Sequence, residues 1–215
     1  MTETEWLACD DPWSMVQYLE GAHDRKRRLL ICACARRVWD CIDPPDRPLV
    51  AAGERMADGG IGDEEVAELR ASFGSTGSKS RVVSRGTIQP LFWIISLTDA
   101  VDLAVRDAMR NARQNGKRSL PQRVFADERR EQVGLLRDIF SNPFRPVIFS
   151  PEWRTSTVFA LAAQIYESRD FSAMPILADA LQDAGCDSAD VLDHCRGPGP
   201  HVRGCWVVDL VLGKE

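Results

Sequence analysis

The stretch Asp24-Arg-Lys-Arg-Arg-Leu-Leu-Ile-Cys-Ala-Cys-Ala-Arg-Arg-Val-Trp-Asp-Cys-Ile42 sets the fold class. Leu30, Cys34, Val38 and Ile42 recur every four residues, and Ile31 and Ala35 widen the stripe, which is the period of an amphipathic helix. Pro44-Pro45 stops it, because proline lacks the N–H and pushes the residue before it out of the helical region. The same period runs through most of the chain, and strand-type alternation bounded by turn residues is hard to find. The expectation is an all-α protein, a single compact domain of roughly eight to ten helices.

Working outward, Asp11 caps and Pro12 opens a short helix that Gly21 ends. Asp46 caps a third helix carrying Leu49, Val50, Gly53 and Met56, closed by Gly59-Gly60, and Asp63 caps a fourth. Residues 72–86 are rich in Gly, Ser and Lys, the composition of an exposed loop. Pro90 then starts a long helix with Ile94, Leu97, Val101, Val105 and Ala108 in register, and Pro121 to Phe140 forms another with Val133, Leu136 and Phe140 on its seam. After an extended Asn142–Pro146 connector, Ser150-Pro151-Glu152 opens a helix through Tyr166, followed by helices at Met174–Ala184 and Ser188–Cys195. Pro200 starts the last helix, with Val202, Trp206 and Leu210 on one face. This divides residues 1–215 into N-terminal helices (1–71), a loop (72–86), basic middle helices (87–141) and C-terminal helices (147–215) that pack on the N-terminal part. Trp39, Trp153 and Trp206 are the expected core anchors.

The 215 residues carry a net charge of −5. That average hides thirteen Lys/Arg against seven Asp/Glu within residues 79–145, a basic middle between acidic ends. The most apolar run, Leu91–Leu97, is far short of the ~20 residues that span a bilayer, so no membrane partner is expected. Met1-Thr-Glu-Thr-Glu-Trp6 has no secretory pattern, so a cytoplasmic location and reduced thiols are expected.

Seven cysteines fall in two groups, Cys9, Cys32, Cys34 and Cys41, then Cys186, Cys195 and Cys205. Cys32 and Cys34 lie about 200° apart on a helix and cannot share an ion, so the first group reads as core. The second is interleaved with histidines: Cys186, His194, Cys195, His201 and Cys205. Cysteine and histidine are zinc ligands, and His201 and Cys205 at i, i+4 would project from adjacent turns of the last helix. The Gly197-Pro-Gly-Pro200 turn would bring His194 or Cys195 alongside. The competing reading is a set of core thiols with a capping histidine, since no C-x2-C pair occurs and free cysteine is often buried. Zinc at this cluster is the single cofactor that the residues suggest.

Arg106, Arg110, Arg113 and Lys117 descend one side of the long helix, with Arg118 and Arg123 close behind. Such a surface could contact an acidic protein face or phosphates, although Asp102, Asp107, Asp127, Glu128 and Glu131 interrupt it. Gly74-Ser-Thr-Gly77-Ser-Lys79-Ser80 lacks the glycine that a phosphate loop needs before its lysine. No hydrolase, zincin or dinucleotide motif occurs, so no catalytic residue is assigned.

Four segments resemble an uncharacterised family of planctomycete proteins. These are Met1-Thr-Glu-Thr-Glu-Trp6-Leu-Ala-Cys9, Arg27–Trp39, Leu135-Leu-Arg-Asp138-Ile-Phe140-Ser-Asn-Pro143-Phe-Arg-Pro146 and His194–Glu215. The resemblance covers roughly residues 1–60 and 133–215, whereas residues 72–120 depart from the alanine-rich middle of that family. It implies a cytoplasmic bacterial protein from a large paralogous set and brings no activity, cofactor or catalytic residue. The leading expectation is a non-enzymatic helical adaptor whose partner is a protein. The alternative is a zinc-stabilised helical module that touches nucleic acid through the basic middle.

Overall fold

Asp11 accepts hydrogen bonds from the amides of Trp13 (3.1 Å) and Ser14 (3.2 Å), and Pro12 is the first residue of the helix that follows, as the cap pattern predicts. Local rules of this kind set most of the architecture seen in a computed structural model, which describes residues 1–19, 21, 23–72, 87, 99, 106 and 121–214. Among the described residues there are ten α-helices and no strand. They are α1 (Glu3–Ala8), α2 (Pro12–Tyr18), α3 (Asp24–Arg37), α4 (Arg47–Ala57), α5 (Asp63–Ser72), α6 (Pro121–Phe140), α7 (Ser156–Ser168), α8 (Met174–Asp183), α9 (Ala189–Arg196) and α10 (Trp206–Leu212). The protein is all-α, as expected. The apolar stripe from Ile94 to Ala108 and residues 73–86 lie outside the described residues. No helix among the described residues is long and apolar enough to cross a membrane.

Several boundaries differ from the sequence expectation, each for a local reason. α3 stops at Arg37 rather than Ile42, and Trp39–Cys41 tightens into a 3-10 turn. Arg47 donates to the carbonyls of Ile42 (3.2 Å) and Trp39 (3.3 Å), so those acceptors are satisfied without a continued helix. Asp46 precedes α4, but its side chain makes no capping bond. Pro151–Trp153 is a separate 3-10 turn, and Thr155, not Ser150, caps α7 by accepting from the Val158 amide at 3.3 Å. The last helix begins at Trp206, not at Pro200, because Gly204 sits at φ +98° and breaks the helical path.

The chain divides into two compact units, one of residues 8–133 and one of residues 1–7 with 134–215, so the division falls inside α6. In the first, α3 packs against α4. A methyl group on Gly53 of α4 would stand 2.7 Å from Thr87 Cβ and 3.0 Å from Cys32 Sγ, so glycine is what permits this approach. The Thr87 hydroxyl donates to the Leu49 carbonyl at 2.9 Å. Several of the described arginines of this unit are engaged within it. Arg37 forks onto Glu128 (3.2 and 3.0 Å) and reaches Glu131 (3.0 Å), and Arg36 forks onto Glu54 (3.0 and 2.8 Å). Of the four consecutive basic residues Arg25–Arg28 at the start of α3, Arg25 pairs with Asp58 and Arg28 donates to the Thr87 carbonyl.

In the second unit, α7, α8, α9 and α10 enclose a core that includes Val158, Ile165, Leu177, Leu181, Val191, Cys195, Val207 and Val211. Each such side chain removed from water contributes about 1.5–3 kcal/mol before the cost of ordering the chain. Trp206 is buried, as expected of a core anchor, while Trp39 and Trp153 are only half-buried. Among the described tryptophans, the fully buried one is Trp6, in α1. Arg137 of α6 donates to the carbonyls of Trp6 and Leu7, both at 2.9 Å, and Asn142 donates to Glu3 at 2.8 Å, so α1 is held at its exposed C-terminal carbonyls as well as by its indole.

Candidate metal centre

Three chain segments of the second unit converge on one point. The last turn of α6 supplies Asp138, α9 supplies His194, and the 197–205 turn supplies His201 and Cys205, the latter at the N-cap of α10. Gly134, one turn before Asp138, allows the turn to come close: a methyl group there would lie 2.9 Å from Pro200 Cδ and 3.1 Å from Cγ. Gly199 at φ +86° then reverses the chain so that His201 faces α6.

One ligand atom from each of Asp138, His194, His201 and Cys205 lies within 4.8 Å of all the others. Asp138 Oδ1 is 3.0 Å from His201 Nδ1 and 3.2 Å from His194 Nε2, and His194 Nε2 is 3.1 Å from Cys205 Sγ. A tetrahedral zinc ion with bonds of about 2.0–2.3 Å sets its ligand atoms roughly 3.3–3.7 Å apart, so these spacings are close to those of a coordination shell. Asp138 Oδ2 accepts from the Val202 amide at 2.9 Å, which fixes the carboxylate and leaves Oδ1 toward the centre. Asp138 is buried, and its charge at a helix C-terminus opposes the dipole, so cationic or donor partners are required there. The Trp206 indole N–H donates to His194 Nδ1 at 3.1 Å. His201 Nε2 is buried with no hydrogen-bond partner among the described residues, a cost of about 1–3 kcal/mol for any buried polar atom so placed.

Burial pushes the Cys205 thiol well above its ordinary range, and the Asp138 carboxylate adds to the shift. Cys195 is pushed up to about 12, by burial and then by Cys186 and Asp138. An activated nucleophile needs the reverse, so the Cys205–His194 contact does not have the electrostatics of a cysteine hydrolase. A metal cation would overturn that balance, since it binds the thiolate outright.

Of the five residues read from the sequence as a zinc cluster, the structure brings together His194, His201 and Cys205. Cys186 and Cys195 are not in the quartet. Both are buried, packed in the core of α7 to α10. His201 and Cys205 do not share a helix as their i, i+4 spacing suggested. Both lie ahead of α10, and it is the turn that aims them inward. Asp138 is missing from the sequence-derived cluster, since it stands far from the Cys/His segment and beside the Val133, Leu136 and Phe140 seam of its helix. Its signal is an acidic residue among Leu135, Leu136, Ile139 and Phe140 in the last turn of a helix, where its charge is unfavourable without a partner.

The basic surface has a different outcome. Arg106 and Arg123 are exposed, while Arg110, Arg113, Lys117 and Arg118 lie outside the described residues. Further along α6, Arg129 pairs with Asp11 and Arg130 with Asp127 (2.9 Å), so part of the basic charge of this segment is neutralised within the chain. Comparison with protein-family models, curated proteins and solved structures finds no match to this chain.

Proposed function

We propose that the protein is a zinc-binding helical module in which the metal, held at the Asp138, His194, His201 and Cys205 centre, ties together the end of α6, α9 and the start of α10. The observation that carries this reading is the convergence, within 4.8 Å, of four atoms able to bind or surround a metal, from residues up to 67 positions apart in the chain. A thiolate with imidazoles favours zinc over the harder magnesium and calcium ions, and no purely oxygen-lined cage is formed here. A metal bound by the folded state alone stabilises it by mass action, about 2.7 kcal/mol at a free concentration a hundred times its Kd.

The test is metal content. Full-length protein stripped with a chelator and dialysed against zinc should retain one equivalent and unfold at a higher temperature than the stripped protein. Asp138→Asn and Cys205→Ser should each lose that zinc. Retention of no zinc, with identical melting before and after stripping, contradicts the proposal.

A further inference from the structure

The four residues of the centre are not chemically equivalent, and the difference lies in a hydrogen bond. An indole N–H donates and cannot accept, so the Trp206 contact at 3.1 Å requires a lone pair on His194 Nδ1. The proton of neutral His194 is therefore on Nε2, the nitrogen that faces Cys205 Sγ at 3.1 Å and Asp138 Oδ1 at 3.2 Å. A nitrogen that ligates a metal must present its lone pair there instead, which would set Nδ1–H against the Trp206 N–H, donor against donor. Asp138 Oδ1 and Cys205 Sγ carry no such conflict, and His201 ligating through Nδ1 sets its Nε2–H against no other donor, that atom being buried without a hydrogen-bond partner among the described residues.

Resting on the zinc reading above, we propose that Asp138, His201 and Cys205 are the three protein ligands, and that the fourth position is open to a small exchangeable anion or water hydrogen-bonded by His194 Nε2–H. Three protein ligands with one exchangeable position is the pattern of zinc sites that act on a bound molecule, whereas closed sites use four. A cleft of about 260 Å³ borders the centre, lined by Asp138, His194 and His201 together with Arg137, Asp193 and Pro200. The ligand class that fits is a small monodentate anion, because His194 supplies a donor and the cation supplies the charge.

Cobalt(II) in place of zinc makes the coordination visible, and azide is the probe for the open position. In the full-length cobalt protein, azide should shift the visible d–d bands saturably while the thiolate-to-cobalt charge-transfer band persists. His194→Gln and His194→Ala should still take up one cobalt, and His194→Ala should bind azide about tenfold more weakly, the loss expected for one charge-assisted hydrogen bond. Bands that azide does not move, or a His194→Gln protein that cannot hold cobalt, would overturn the open position and make the site a closed four-ligand one. A wild-type chain that binds neither zinc nor cobalt would defeat the metal reading itself, a result distinct from bound metal that ignores azide.

Discussion

Replacing Gly134 by alanine puts two opposing effects in one experiment. In the middle of a helix the change should raise stability by up to about 1 kcal/mol, because glycine loses the most backbone freedom on folding. Against this, the new methyl group would meet the Pro200 ring at 2.9 and 3.1 Å, the first closer than real carbon contacts come and the second tighter than most. That ring is fixed to the backbone one residue before His201, so it cannot swing aside as a long side chain would. Overpacking of this sort costs about 1–3 kcal/mol, leaving a net loss of roughly 0–2 kcal/mol in metal-free protein. The metal should register the change more strongly, since His201 shifts with Pro200 while Asp138 stays on the helix. A tenfold loss of zinc affinity removes about 1.4 kcal/mol of the zinc-dependent stabilisation. Urea unfolding in chelator and in buffered zinc separates the two contributions. If Gly134→Ala is about 1 kcal/mol more stable in chelator and gains as much from zinc as the wild type, the close approach of the turn does not position His201 and the reasoning is refuted.

Other perturbations follow from the same packing. Trp6→Ala empties a fully buried site in the unit of α7 to α10 and should cost about 3–5 kcal/mol in denaturant unfolding; a loss below 1 kcal/mol would mean that α1 is not docked in solution. Cys9 and Cys41 are half-buried and the other five thiols are buried, so a disulfide reagent at pH 8 should titrate two groups in metal-free native protein and seven after denaturation. Rapid reaction of Cys32 or Cys195 in the native state would contradict that burial. Stability at alkaline pH carries the same signature. With the folded Cys195 thiol pushed from 9.0 to about 12, the folded state holds a proton that the unfolded chain releases. Its contribution is complete below pH 9 and is lost between about pH 9 and pH 12, at about 1.4 kcal/mol per pH unit. Cys195→Ala should flatten the alkaline decline of stability by that slope, and an unchanged slope would place Cys195 in water.

What the sequence made legible was whatever a few neighbouring residues decide. Asp11-Pro12 sets a cap and a first turn without help from the rest of the chain, and the Pro121 to Phe140 helix keeps both its expected ends. The end of α3 was not legible, because the carbonyls just beyond it, of Trp39 and Ile42, find their donors on Arg47, ten residues beyond Arg37. Pro200 carries a valid helix-start signal, yet Gly204 and the pull of His201 toward Asp138 keep the chain out of a helix until Trp206. The proposed metal centre was half legible for the same reason. Histidine and cysteine announce their chemistry wherever they stand, and His194, His201 and Cys205 were within reach of one another in sequence. Asp138 stands 56 residues before His194 and looks like any acid on a helix until the fold buries it. Sequence spacing also suggested that Cys186 and Cys195 belong to the cluster, when their burial among Leu177, Leu181 and Val191 makes them part of the core.

X-ray absorption at the zinc edge of the loaded, full-length protein tests the centre most directly, because it counts sulfur and light-atom ligands without depending on any variant. The account predicts one sulfur at about 2.3 Å, from Cys205, with the remaining shell of nitrogen and oxygen at about 2.0–2.2 Å that includes His201 and Asp138. A shell with no sulfur, or one with two or three sulfurs drawn from Cys186 and Cys195, would contradict it.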